Sequence, residues 1–124
     1  MQQSFFEAPT AEQTAPTSRQ ELQKLFYGNG GNCPPTIVFH EDPGHGWLQV
    51  PKPLAKQLGI SGKISGYSYQ DAKYIYLEED CDLSLFYEAM KIRQNGLHKD
   101  FWELCPKEYK EESPIRRKTR YTIK

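Results

Sequence analysis

Two short stretches carry most of the side chains that could do chemistry. HEDPGHGW, from His40 to Trp47, packs two histidines, two carboxylates and two glycines into eight residues. YLEEDCDL, from Tyr76 to Leu83, surrounds Cys81 with Glu78, Glu79, Asp80 and Asp82. A histidine carried on a Pro-Gly-His-Gly turn projects from the chain and can serve as general base or metal ligand. A cysteine at a helix start has its thiolate favoured by the helix dipole, but neighbouring carboxylates oppose that charge, so a low thiol pKa does not follow.

These residues support three readings. His45 and Cys81 could form a hydrolase pair, with Asp80 or Asp82 orienting the ring. Alternatively, His40, Asp42 or His45 could join Glu79, Asp80 or Asp82 on a divalent metal, as in phosphodiesterases. In the third, nothing is catalytic: His45 and the acids hold the hairpin to the long helix by hydrogen bonds, with Asp80 as that helix's cap, and function lies on the surface. No H-E-x-x-H, G-x-S-x-G or paired H-x-T motif is present, which lowers both enzyme readings. No motif calls for a cofactor or a metal.

The elements that must position these groups follow from pattern. The chain has 124 residues, enough for one domain with its own core. Residues 1–17 are rich in Gln, Thr, Ala and Pro and read as loosely attached, with Phe5 and Phe6 as exceptions that could dock on a partner. Ser18 and Glu21 form a capping box ahead of Leu22, Leu25 and Phe26, and Gly28 ends that helix. GNGGNCPP is a connector; without a following Gly-Lys-Ser/Thr it is no phosphate loop. TIVFH and WLQV make a hairpin around EDPGHG. Pro51 or Pro53 opens a short helix that Gly59 closes.

KISGYSYQ and KYIYL read as a second hairpin, with Gly66 as a bulge. A helix capped by Asp80 runs to about Gln94, burying Leu83, Phe86, Tyr87 and Met90, and Asn95-Gly96 stops it. LHKDFWELCP is of open class, and PIRRKTRYTI is an edge strand or a tail. The expectation is α+β: a small antiparallel sheet of two hairpins with helices on one face, spanning 18–106, then a basic strand or tail over 107–124.

Net charge is zero but uneven. Asp71–Glu88 holds six acids and one base; Lys107–Lys124 holds seven bases and three acids. The acidic run suits a basic partner, through Glu78, Glu79, Asp82 and Glu88. The tail arginines Arg116, Arg117 and Arg120 are secondary contacts. With a pI near 6.8, direct nucleic-acid binding is expected to be weak at most. The N-terminus lacks the basic start and apolar stretch of a secretion signal, no run approaches a membrane span, and three cysteines without C-x-x-C spacing suit a reducing cytoplasm.

The stretch Thr36–Met90 resembles an uncharacterised small domain family of bacteriophages and plasmids. The likeness lies in Gly44-His45-Gly46 on a strand-turn element, Glu79-Asp80-Cys81-Asp82 before a helix, and Ser113-x-Ile115-Arg116 near the C-terminus. It carries over no catalytic residue. It implies a mobile-element accessory protein that binds a host protein, such as a CRISPR–Cas or other defence nuclease.

Overall fold

The computed structural model describes residues 15–28 and 35–123; Phe5, Phe6, Cys33 and most of the GNGGNCPP loop lie outside them. The architecture is α+β. Helix α1 is Arg19–Tyr27. Strands β1 (Val38–Glu41) and β2 (Gly46–Pro51) form the first hairpin, and α2 (Lys52–Gln57) follows directly. A 3₁₀ turn, Ser61–Lys63, leads to the second hairpin, β3 (Tyr69–Gln70) and β4 (Tyr74–Glu78). Helices α3 (Leu83–Ala89) and α4 (His98–Leu104), strand β5 (Lys107–Tyr109), a second 3₁₀ turn (Pro114–Arg117) and β6 (Thr119–Arg120) complete the chain.

The sheet runs β5-β1-β2-β4-β3-β6. All neighbours are antiparallel except β5, which lies parallel to β1 and makes the sheet mixed. Period-two alternation divides its faces. Phe39, Leu48, Val50, Ile75 and Leu77 enter one core with Leu22 and Phe26 of α1, Ala55 of α2, Phe86 of α3 and Phe101 of α4. The other face carries Trp47, Tyr69 and Tyr76, and Ile115 of the second 3₁₀ turn closes over them.

Local chemistry fixes several ends. Ser18 Oγ accepts the Glu21 N–H at 3.1 Å, as a cap should. The Glu21 carboxylate, however, accepts from Thr17 N and Thr17 Oγ, one residue earlier than a capping box places it. Gly28 and Gly59 end α1 and the α2 segment with positive φ. Ala15 is buried and the Pro16 carbonyl accepts from Asn95 Nδ2, so 15–17 are docked on the domain.

Four expectations change. The strand expected over 63–70 shrinks to Tyr69–Gln70, because Ser65 and Ser68 spend their hydroxyls on Asp82 and hold 65–68 as a loop. Gly66 is therefore in a loop and not a bulge. Asp80 caps nothing: α3 starts at Leu83, and the Asp80 N–H itself donates to Glu78 Oε1. The helix stops at Ala89, with Lys91 at φ 55. Breaking there lets both Met90 and Ile92 reach the core, which a continued helix would not, since i and i+2 point apart. LHKDFWELCP gives α4, and 107–123 are woven into the sheet as β5 and β6.

Gly46 illustrates how tightly the first hairpin packs. A Cβ there would drive into the buried Phe39 ring, which stacks edge-on against Trp102 at 5.1 Å. Gly46→Ala is expected to destabilise by about 1–3 kcal/mol through overpacking. Urea unfolding monitored by tryptophan fluorescence reads this as a lower midpoint.

Candidate functional site

The β1–β2 turn is built by Asp42. Its Oδ1 accepts the backbone N–H of Gly44 and of His45, each at 3.0 Å. The side chain thereby folds its own turn, as Asx residues do. The same carboxylate takes a two-pronged grip from Arg116: Nε to Oδ2 at 2.6 Å and Nη2 to Oδ1 at 3.0 Å. Ser113 N donates to Oδ2 at 3.4 Å. The Arg116 guanidinium, opposed by burial and helped by the Gly44, His45 and Ser113 amides, holds the Asp42 carboxyl far below the usual carboxylate range. Gly44 and Gly46 do not take positive φ. They serve space instead: a Cβ on Gly44 would meet Arg116 Nη2 at 3.1 Å.

His45 sits above this pair. Its ring stacks on Trp47 (centroids 5.8 Å apart, 17° between planes). Nδ1 lies 3.2 Å from Arg116 Nη2. A guanidinium only donates, so Nδ1 accepts and the ring proton is on Nε2. Nε2 faces Glu78 Oε2 at 3.9 Å. Glu78 is buried and its Oε1 accepts the N–H groups of Asp80 (2.8 Å) and Cys81 (2.9 Å), folding the turn after β4.

His45, Trp47, Glu78, Asp80, Cys81 and Arg116 thus share one cleft of about 380 Å³, with Tyr67, Tyr69 and Arg120 completing its wall. The two stretches singled out by residue type do meet. They do not form a nucleophile–base pair. His45 has its acceptor nitrogen on Arg116, and Cys81 is exposed beside acids. Partial desolvation, the bond to Glu78 and the charges of Glu78, Asp82 and Asp80 push its thiol up. Because α3 begins at Leu83, no helix dipole offsets them.

The other predicted groups are dispersed. His40 bonds Gln49 Oε1 at 2.9 Å and faces Glu108 at 3.4 Å, in the same sheet row as Glu78 but with β2 between them. Among the described residues no three His, Cys, Asp or Glu side chains are grouped to hold a metal ion. The acidic contact surface is also corrected. Glu78 and Asp82 are 5% and 2% exposed, and Asp82 is spent on Ser65 N, Ser65 Oγ and Ser68 Oγ. Asp82 is closed off inside the fold, and Glu78 reaches the surface only as part of the cleft lining. Glu79, Asp80 and Glu88 stay exposed, with Glu88 on α3 beside a separate hollow.

The basic tail is not free. Arg116 lies over Trp47 (5.2 Å), Lys118 over Tyr76 (5.2 Å) and Arg120 over Tyr69 (4.7 Å). Each such contact is worth about 0.5–1 kcal/mol at an exposed site. Arg117 is exposed. Sequence reasoning missed Trp47, Tyr67 and Tyr69 as wall residues; no spacing signal marks them, since they gather only when β2, β3 and the 65–68 loop meet. Tyr67 is 64% exposed at the rim. Comparison with protein-family models, with curated proteins and with solved structures finds no match to this chain.

Two outcomes follow. A depressed carboxyl stabilises the fold above its unfolded pKa, near 4, and that contribution is lost as pH falls below it. Asp42→Asn should therefore cost roughly 2–3 kcal/mol at neutral pH, the scale of a charged hydrogen-bonded pair, and flatten the fall in melting temperature between neutral and acid pH; calorimetry across that range measures both. Cys81 should alkylate with iodoacetamide no faster than an unperturbed exposed thiol at neutral pH. Cys105, buried with its thiol pushed up to about 12 by burial, should stay unmodified in the folded protein. Mass spectrometry of timed quenches reads both.

Proposed function

We propose that the protein works by binding a partner protein at this cleft and does not catalyse a reaction there. The observation that carries the reading is the make-up of the wall: exposed Tyr67, Arg116 and Arg120 around one concavity, backed by buried Trp47 and Tyr69. Tryptophan, tyrosine and arginine are the residues that dominate interface hot spots. Tyr67 stands out of the surface as an anchor, and the Trp47 indole N–H behind it is buried without an acceptor among the described residues. Charges of both signs, Arg120 and His45 against Asp80, give the cleft orientation-specific contacts.

This moves the contact surface from the acidic run to the aromatic-arginine cleft, keeping Arg116 and Arg120 and adding Tyr67, with Asp80 in its wall. Together with the phage and plasmid resemblance, it makes the protein an accessory factor of a mobile element. It would act in the bacterial cytoplasm on a host protein, with a defence nuclease such as a CRISPR–Cas effector as the target to test first. No described helix is long and apolar enough to cross a membrane. Weighing against a His45–Cys81 hydrolase are the occupied His45 nitrogen and the raised Cys81 thiol.

Tagged protein incubated with host lysate should retain a stoichiometric partner. Tyr67→Ala should abolish that retention, while Glu88→Lys, away from the cleft, should leave it. Loss with Glu88→Lys but not Tyr67→Ala would return the contact to the acidic surface. Alkylation of Cys81 that abolishes a measurable hydrolysis would reinstate the enzyme.

A further inference from the structure

A zero net charge conceals a basic end that only the fold assembles. From Pro43 to Gln70 the sequence holds no Asp or Glu, but three lysines: Lys52, Lys56 and Lys63. From Ser113 to Lys124 it again holds no acid, with Arg116, Arg117, Lys118, Arg120 and Lys124 as its cations. These two segments are neighbours in space. Strand β6 pairs with β3, Tyr121 N donates to Ser68 O at 2.8 Å, and Tyr121 Oη donates to Ser61 O at 2.7 Å.

Where they meet lies a second cleft, of about 340 Å³: Lys52, Lys56, Ser61, Gln70, Thr122 and Ile123 form most of its wall. Lys52 and Lys56 are one helical turn apart on α2, about 6 Å along its axis. Two further lysines belong to neighbouring backbone: the Lys73 carbonyl accepts the Lys52 N–H at 3.0 Å, and Lys63 ends the 3₁₀ turn that begins at the lining residue Ser61. None of these four lysines makes an ion pair among the described residues.

The nearby acid is Asp71, and it is spent. Burial, which would raise its pKa, is outweighed by the Tyr76 hydroxyl, the Tyr74 and Lys73 amides and Lys118, which bring it to about 2. The Lys52 and Lys56 ammonium groups, with the Ser61 and Thr122 hydroxyls in the same wall, meet no carboxylate among the described residues. Hydroxyl, amide and ammonium donors are the set that contacts nucleic-acid phosphates without reading bases.

We infer that the cleft between α2, the first 3₁₀ turn and the C-terminal segment docks the phosphate backbone of a nucleic acid through Lys52 and Lys56. The contact is sequence-independent and salt-sensitive, and with so few cations it is weak alone. The inference does not rest on the partner-binding cleft. A protein that meets a nuclease at one cleft and the bound strand at the other would gain from both contacts at once.

Fluorescence anisotropy of a labelled oligonucleotide, single-stranded and duplex, titrated with the full chain at low and moderate salt tests it. Wild type should bind at low salt and weaken steeply as salt rises. Lys52→Glu/Lys56→Glu should lose about tenfold or more in affinity and flatten the logarithmic salt slope by about one to two. Lys52→Gln/Lys56→Gln should show an intermediate loss with an unchanged melting temperature, which guards against a folding defect in the reversed variant. Tyr67→Ala, which should lose the partner protein, should bind the oligonucleotide as wild type does. No anisotropy change at low salt, or binding indifferent to both lysine variants, overturns the inference. So does polyglutamate competing as well as unlabelled oligonucleotide, which would assign the basic end to an acidic protein surface.

Discussion

The Asp42 carboxylate is the constraint on which the far side of the sheet depends. One buried group folds the β1–β2 turn, sets the backbone of His45, and clamps Arg116 from a segment 74 residues later. Taking a carboxylate out of water costs several kcal/mol unless its lone pairs are met. Here both oxygens are met, by a bidentate guanidinium and three amides. That satisfaction fastens the second 3₁₀ turn over Trp47, and Ile115 then buries itself in the aromatic cluster beneath. Without the clamp the second 3₁₀ turn would depend on Ile115 and on cation–aromatic contacts of modest strength, with the chain beyond it held by β6 and by the buried Tyr121.

The two faces of the sheet are consequently held by different physics. The helical face is ordinary apolar packing, with Phe26, Phe86 and Phe101 fully buried. The other face is aromatic and covered by cations, each seated over one ring. A face made this way stays polar at its rim, and its aromatic and arginine side chains are already ordered. Ordering interface side chains is one of the costs of association. Surface order of this kind suits a protein whose work is recognition.

Residues that look chemically active by type are largely occupied in holding local structure. Glu78 folds the turn after β4 and Asp82 ties down the 65–68 loop. His45 accepts from Arg116. The acidity of the Asp71–Glu88 run is thus partly internal, whereas the lysines of α2 and the first 3₁₀ turn make no ion pair among the described residues. Charge that seemed to belong to an acidic middle and a basic tail is resorted by the fold into other surfaces.

The sequence by itself determined the class and most elements. β-branched and aromatic residues in TIVFH, WLQV and KYIYL yield β1, β2 and β4, because such side chains suit a pleated, packed surface. Ser18, Gly28 and Gly59 mark helix ends through backbone chemistry local to each. It also brought attention to His45, Glu78 and Cys81, which do line one cleft. Only the tertiary structure decided what they do there. That Arg116 would fill the His45 nitrogen and Asp42 would take Arg116, that Asp82 would serve serines and not α3, and that Tyr67 and Tyr69 would join Trp47, are outcomes of pairing across 14 to 74 residues. Contacts at such separation leave no periodic trace, since either partner alone is compatible with many others. The same holds for the basic end: each acid-free segment is visible in the chain, but their adjacency is made by β6 meeting β3.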